Sequence, residues 1–256
     1  MQNEFIIYEQ PLNERIRTFL RLEHLFRQTL FSLRGESVWE SRHALGSIVD
    51  VLNIFDRADL KTEAIKELER HTASLVRLEQ TPGIDRDKLH SILDEIGTLL
   101  EALYGMNGRV GQRLRDNEFI TMVRQRSAIP GGTCDFDLPL YHQWLERLPE
   151  ERVRDLESWL AEFEPMRLSI TLILKLIRQS SAPSEAIAVS GFYQKALDPN
   201  VPFQMVRIRL AENPPVFPEM SAGKHRFTVR FLRATLDQRP VQAEEDIPFQ
   251  LSCCLL

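Results

Sequence analysis

A chain of 256 residues, 43% of them hydrophobic, can form a full core as one large domain or two smaller ones. Neither a membrane-length apolar run nor a signal peptide is present, so the sequence predicts a cytoplasmic protein. Three cysteines, two of them adjacent, give neither a disulfide framework nor a zinc site of paired CxxC elements. The net charge of -5 argues against a general nucleic-acid-binding protein.

Most of the chain predicts amphipathic helices. A short strand over residues 5–10 comes first, and Pro11 separates it from a helix over residues 12–33. Apolar residues at helical spacing then predict further helices, which cover residues 37–55, 59–80, 85–104 and 110–126. Ser37 and Asp59 are suitable N-caps for two of these helices.

Residues 124–145 predict a corner between helices. Ile129 precedes Pro130 and is followed by two glycines, so the preceding helix should end there. Asp137 can cap a new helix with Pro139 in its first turn. Two more helices begin near Pro149 and Pro165, and the last is apolar almost all the way round, which predicts a central core helix.

From about residue 180 the hydrophobic period changes to two, which is typical of strands. In residues 204–210 and 224–231 apolar side chains alternate with basic ones. The two strands are therefore predicted to present Arg207, Arg226 and Arg230 on one face. Residues 201–240 hold seven basic residues against three acidic ones, which predicts a local basic face.

The predicted fold class is α+β, with a mainly α-helical domain and a β-sheet domain. The helical domain is predicted over residues 12–180. The β domain is predicted over residues 186–256 together with residues 1–11, because an isolated N-terminal strand needs a partner for its backbone.

The corner offers Cys134, Asp135, Asp137 and His142 as candidates for a nucleophile or a metal site. Two nearby aspartates would raise the pKa of the thiol and so oppose a nucleophilic role. There is no HExxH spacing, and the glycines at residues 105–111 do not match a phosphate-binding loop. The sequence therefore predicts no enzyme, no cofactor and no metal, although a Cys134/His142 hydrolase stays open as an alternative.

A docking surface is the better supported interpretation. The basic strand face is one part of it, and a ridge of Arg17, Arg21 and His24 along the first helix is another. Because exposed ion pairs each contribute only about 0.2 to 1 kcal/mol, several cations must act together. A polyanion or nucleic-acid binder is a second alternative.

Several motifs in a fixed order resemble one family. The corner contains VRQR, IPGG, a cysteine, FDLP, a histidine and WL between residues 123 and 145. Further motifs are EQPLNERIRTFLR (9–21), FDRADLKTE (55–63), PGID (82–85), LIRQS (176–180), GFYQ (191–194), GKHRFTVRF (223–231) and FQLSCC (249–254). Together they resemble the ZapD family of cell division proteins.

This resemblance implies a homodimer in the bacterial cytoplasm that binds the C-terminal tail of FtsZ. Such a protein crosslinks FtsZ protofilaments into bundles at the midcell Z-ring and so promotes septum formation. It implies neither nucleic-acid binding nor membrane insertion. The matching motifs supply the predicted tail-binding residues Arg21, Arg57, His142, Lys224, Arg226 and Arg230, and Arg207 joins them on the strand-face argument. Glu118 departs from the family pattern, in which a basic residue is expected there.

Overall fold

The computed structural model describes residues 5–79, 81–211, 215–223, 225–234 and 237–255. The chain divides into two compact units, Met1–Arg17 with Leu174–Leu256 and Thr18–Ile173. We call the first the strand unit and the second the helical unit. Helices and antiparallel sheets are both present, and the N-terminal strand pairs with a C-terminal strand, so the predicted α+β class is confirmed.

Nine helices lie in the described ranges. They are α1 (Glu14–Ser32), α2 (Val38–Phe55), α3 (Leu60–Leu78), α4 (Arg86–Gly105), α5 (Gln112–Arg115), α6 (Glu118–Ser127), α7 (Pro139–Leu145), α8 (Pro149–Ala161) and α9 (Glu164–Gln179). Helix α2 begins with the predicted capping box, in which Ser37 and Glu40 bond reciprocally, and Asp59 caps α3.

An aromatic cluster lies in the core of the helical unit. The ring of Phe163 stacks on Phe55 at 5.5 Å between centroids and lies 6.3 Å from Phe26. Gly111 approaches this cluster with a φ of 72°, and a Cβ atom there would lie 2.8 Å from the Phe163 ring. The single helix predicted over residues 110–126 is instead two short helices, α5 and α6, because the backbone of Asn117 is extended and its side chain caps α6 by accepting from the N–H of Ile120.

The predicted corner lies between α6 and α7. Gly131 has a φ of 72°, and a Cβ atom on Gly132 would lie 2.5 Å from the carbonyl oxygen of Arg126. The capping role predicted for Asp137 is wrong. Leu138 is the N-cap residue of α7 and makes no side-chain cap bond, while Asp137 lies 3.7 Å from a guanidinium nitrogen of Arg126.

Eight strands lie in the described ranges, in two antiparallel sheets. They are β1 (Phe5–Pro11), β2 (Ser184–Ala188), β3 (Phe192–Ala196), β4 (Met205–Ala211), β5 (Phe217–Ala222), β6 (Arg226–Arg233), β7 (Val241–Gln242) and β8 (Ile247–Cys254). The first sheet has the order β1-β4-β8-β2. The second has the order β3-β6-β5, with β7 also paired to β6.

The two sheets pack face to face around one core. Alternate apolar residues of β4, β6 and β8 point into this core and belong to a single buried cluster. Phe249 of the first sheet contacts Phe231 and Tyr193 of the second, at 5.1 and 5.2 Å between ring centroids. Since β4 and β6 both turn their apolar residues toward the shared core, their arginines point to opposite outer faces. The prediction that the arginines of β4 and β6 share one face is therefore wrong.

Between β2 of the first sheet and β3 of the second, the chain makes a two-residue turn that an antiparallel bridge between Val189 and Phe192 closes. Ser190 and Gly191 have φ angles of 48° and 69°, as a type I′ hairpin turn requires. The backbone N–H of Ser190 donates to Asp246, and Gln242 donates to the carbonyl oxygen of Ser190. These contacts fix the point from which the edges of the two sheets diverge.

Candidate functional site

The outer face of the second sheet is an exposed basic surface of the strand unit. On β6, Arg226, Thr228 and Arg230 alternate with three buried residues. Both arginines are exposed, and Arg230 forms an ion pair with Glu219 of β5. In the described part of the chain, Arg226 has no carboxylate within ion-pair distance. We call this surface the Arg226–Arg230 face.

Strand β3 adds an apolar contact to the Arg226–Arg230 face. The register places Phe192 opposite Arg230 and Gln194 opposite Thr228, so both side chains lie on the same outer face as the arginines. Phe192 is 42% exposed. The motif GFYQ contains this phenylalanine, but sequence reasoning missed it because alternation alone did not show on which side of the sheet it lies.

A groove of about 540 Å³ continues the face beyond Arg230. Glu219, Leu232 and residues 239–242 line it, and Arg239 adds an exposed cation. Lys224, which the sequence predicts as a binding residue, lies outside the described residues. The predicted residues Arg226 and Arg230 are therefore brought together on one surface, with Phe192 beside them.

Arg207 has a different environment. It is only 8% exposed, and its Nε donates to Glu9 at 2.8 Å. Arg178 of α9 donates to both oxygens of the same carboxylate at 2.9 Å. Burial alone would raise the pKa of Glu9, but hydrogen bonds and charge from the two arginines outweigh it and lower the pKa. The exposed position predicted for Arg207 is thus wrong, because the side chain is held in a buried ion-pair cluster.

Arg57 lies in the helical unit, exposed immediately after α2. It borders a groove of about 630 Å³ lined by residues 55–62 and 108–110. Asp56 next to it is already bonded to Arg115 at 2.7 Å and to Arg124, which leaves Arg57 and Arg109 as exposed cations of this groove. Arg109 is a second position that sequence reasoning missed.

Arg21 on α1 is exposed and His142 on α7 is partly exposed, both in the helical unit. Arg21 shares its helix with Arg17, which bonds to Glu14 at 3.1 Å, and with His24. The side chain of His142 is 45% exposed, and its Nδ1 lies 3.3 Å from a carboxylate oxygen of Asp135. Glu118 is exposed in the first turn of α6, where a negative charge favours the helix.

The corner does not assemble a catalytic pair within the described residues. Cys134 is exposed, and the only side-chain partner found there for His142 is Asp135. No group of three or more His, Cys, Asp or Glu side chains in the described ranges could hold a metal ion. The helices of the described chain are all too short or too polar to cross a membrane.

Comparison with known proteins gives a consistent result along the whole chain. The family model described as "ZapD: Cell division protein" matches residues 20–230. A cell division protein ZapD from Methylococcus capsulatus is 44% identical over 256 residues, covering 100% of both chains. Proteins of the same name from Aromatoleum aromaticum and Coxiella burnetii are 42% and 38% identical over 251 residues, covering 98% and 97% of each chain.

Proposed function

Because this chain belongs to the ZapD family of cell division proteins, we propose that it binds the C-terminal tail of FtsZ and crosslinks FtsZ protofilaments into bundles. The tail binds on the Arg226–Arg230 face. Bundling consolidates the Z-ring at midcell in the cytoplasm and promotes septum formation. The protein acts as a binding factor and not as an enzyme.

The exposed arginines of β6 are the observation that carries this proposal. Arg226 and Arg230 lie on the outer face of the second sheet, where Arg230 pairs with the acidic residue Glu219. The exposed ring of Phe192 lies beside Arg230 on the same face. Cations around an apolar anchor suit a peptide that contains both carboxylates and an apolar side chain. Arg239 extends the same charge into the adjoining groove.

Arg21, Arg57 and His142 stay in the proposal as tail contacts of the helical unit, where Arg21 and Arg57 are exposed and His142 is partly exposed. Lys224 stays in the proposal on the family match alone. We leave Arg207 out, because its guanidinium is bonded to Glu9.

Crosslinking requires two binding sites in one particle, which a homodimer supplies. When one tail is bound, the second site meets the many tails of a neighbouring protofilament at high effective concentration, so a weak single site still gives strong bundling. A particle that sediments as a monomer at the concentrations that give bundles would contradict this mechanism.

Co-sedimentation with GTP-polymerised FtsZ tests the proposal. At low centrifugal speed, full-length FtsZ should pellet as bundles in the presence of this protein, and FtsZ lacking its C-terminal peptide should stay in solution. Generic duplex DNA in a parallel sample tests the polyanion alternative, which predicts binding with a steep salt dependence. Loss of bundling only with truncated FtsZ supports the proposal, while equal pelleting of both forms would contradict it.

A further inference from the structure

The groove beside Arg57 lies wholly within the helical unit, whereas the Arg226–Arg230 face belongs to the strand unit. Residues 55–62, at the junction of α2 and α3, form one wall of this groove, and residues 108–110 form the other. Its volume of about 630 Å³ is within the range of small-molecule sites, roughly 300 to 1,000 Å³. The groove is therefore large enough to be a binding site of its own.

The two carboxylates that line the groove already accept from donors of the chain. Asp56 accepts from Arg115 at 2.7 Å and also pairs with Arg124. Asp59 is the N-cap residue of α3 and accepts from the hydroxyl of Thr62 at 2.6 Å and from its backbone N–H at 3.2 Å. The negative charge of the groove is thus shared with neighbouring donors.

The loop that forms the second wall has its carbonyl oxygens engaged in the same way. The carbonyl oxygen of Met106 accepts from the ammonium group of Lys61 at 2.6 Å, and that of Val110 accepts from Arg115. In the described part of the chain, the backbone N–H groups of residues 108–110 have no acceptor. This wall therefore presents donors with few competing acceptors, which favours an anion over a cation.

Two cations of the groove have no acid to neutralise them. Arg57 and Arg109 are exposed on the two facing walls, and within the described ranges neither has a carboxylate at ion-pair distance. With Lys61 and the two arginines bonded to Asp56, five cations stand against two carboxylates, a local charge of +3 on a chain whose net charge is -5. A guanidinium presents a fork of donors that matches the oxygens of a phosphate or carboxylate group.

The large apolar residues of the groove cannot serve as anchors for a ligand. Phe55, Leu60 and Val110 are 8%, 4% and 6% exposed, because their side chains belong to the core. A bound peptide usually depends on an apolar or aromatic side chain that fills a pocket. This groove offers no such pocket among its described residues, so its charge is what can select a ligand.

We propose that the groove binds a compact polyanion, a small molecule with two or more negative charges on phosphate or carboxylate groups. Arg57 and Arg109 hold its oxygens from the two walls, and Lys61 fixes the loop wall through Met106. Neither FtsZ nor its tail is required for this binding. Because Arg57 is also a proposed tail contact, the binding is measured without FtsZ, so that its outcome is independent of the proposed function.

Isothermal titration calorimetry of the full-length protein provides the test. Pyrophosphate and citrate are titrated separately in a HEPES buffer, with the ionic strength held constant by sodium chloride. We expect saturable binding of at least one polyanion and at least about tenfold weaker binding of acetate, which carries a single charge. Tighter binding of pyrophosphate assigns the site to phosphate esters, and tighter binding of citrate assigns it to polycarboxylates. The absence of saturable binding for both would overturn the inference.

Substitutions show whether the two arginines hold the ligand. Arg57→Gln and Arg109→Gln each remove one guanidinium, so the affinity for the preferred polyanion should fall by about tenfold or more in each variant. Arg77→Gln makes the same change at an exposed position of α3 outside the groove and should alter the affinity by less than about twofold. Equal losses in all three variants would indicate an adventitious ion only and would overturn the inference.

Amide chemical shifts locate the ligand without any substitution. When the native protein is titrated with the preferred polyanion, the largest shifts in its nitrogen–proton correlation spectrum should belong to residues 55–62 and 108–110. Largest shifts on the Arg226–Arg230 face would place the ligand elsewhere and overturn the inference. Circular dichroism checks that the variants fold, and the chemical shifts decide the question if either arginine variant does not.

Discussion

The two sheets of the strand unit carry arginines at equivalent alternating positions but place them in opposite environments. Arg207 of the first sheet is buried against Glu9 and shares that carboxylate with Arg178. Arg226 and Arg230 of the second sheet are exposed, with Glu219 as their acidic neighbour. Alternation along a strand thus tells which residues share a face of that strand, while the packing of the whole sheet decides whether the face is buried.

The largest expected effect comes from breaking the buried cluster. Glu9→Ala leaves Arg178 and Arg207 without their carboxylate in a mostly buried position, so the free energy of unfolding should fall by about 3 kcal/mol. Glu219→Ala is the matched control on the exposed sheet and should change that free energy by less than about 0.5 kcal/mol. Urea denaturation followed by circular dichroism measures both. Equal losses of unfolding free energy in the two variants would show that the buried ion pairs of Glu9 stabilise the fold no more than the exposed pair of Glu219 and Arg230.

Substitution of an exposed arginine should instead weaken tail binding and leave stability nearly unchanged. Arg226→Glu reverses a charge on the proposed tail-binding face, so affinity for the FtsZ tail peptide should fall by about tenfold or more while the unfolding free energy changes by less than about 0.5 kcal/mol. Arg77→Glu makes the same charge change on an exposed position of α3 and serves as the control. A matching loss of affinity in Arg77→Glu would mean that net charge, and not the Arg226–Arg230 face, drives binding.

Acid should have a smaller effect on stability, which it exerts through Glu9 in the buried ion-pair cluster. Because the pKa of Glu9 is lower in the folded protein than its ordinary value of 4.5, the unfolded chain takes up the proton first as the pH falls. The stabilisation is therefore complete above pH 4.5 and is lost as the pH drops through the folded pKa. Glu9→Gln should flatten the acid limb of the unfolding free energy measured by urea titration at several pH values. An unchanged acid limb would contradict this assignment.

Salt should produce the smallest difference. At physiological ionic strength charges are screened beyond about 8 Å in water, whereas a buried pair is screened much less. Raising the salt concentration several-fold should therefore weaken tail-peptide binding measurably and leave the difference in stability between native protein and Glu9→Ala nearly constant. Peptide affinity that does not respond to salt would count against an electrostatic role for Arg226.

Local features of the fold were predictable from the sequence where a local cause decides them. Ser37 and Asp59 cap the helices that their spacing indicates, and the corner forms where Pro130 and two glycines end α6. The capping role predicted for Asp137 is wrong because the N-cap position of α7 falls on the next residue, Leu138. Sequence patterns locate a helix end only to within one or two residues, so a predicted N-cap can miss the observed one by a single position.

The candidate site was predictable only in part, because it depends on which sheet each strand joins. The strands containing Arg207 and Arg226 were both recognisable by their alternation, but their partition between two packed sheets follows from long-range pairing. Phe192 acquires its position beside Arg230 in the same way, through the register of β3 with β6. Arg226 and Arg230 were found because their exposure follows from the alternation of β6 itself.

The hairpin turn between the sheets also limits how the chain can be altered. It lies at the surface, where insertions are usually accepted. Here one added residue would shift the side-chain alternation of β3 relative to β6 and send Phe192 toward the core and Tyr193 outward. Gly191 is equally constrained, since a Cβ atom there would lie 2.4 Å from the carbonyl oxygen of Ala243. A fluorescent tag for imaging division therefore belongs elsewhere in the chain, however accessible this loop is.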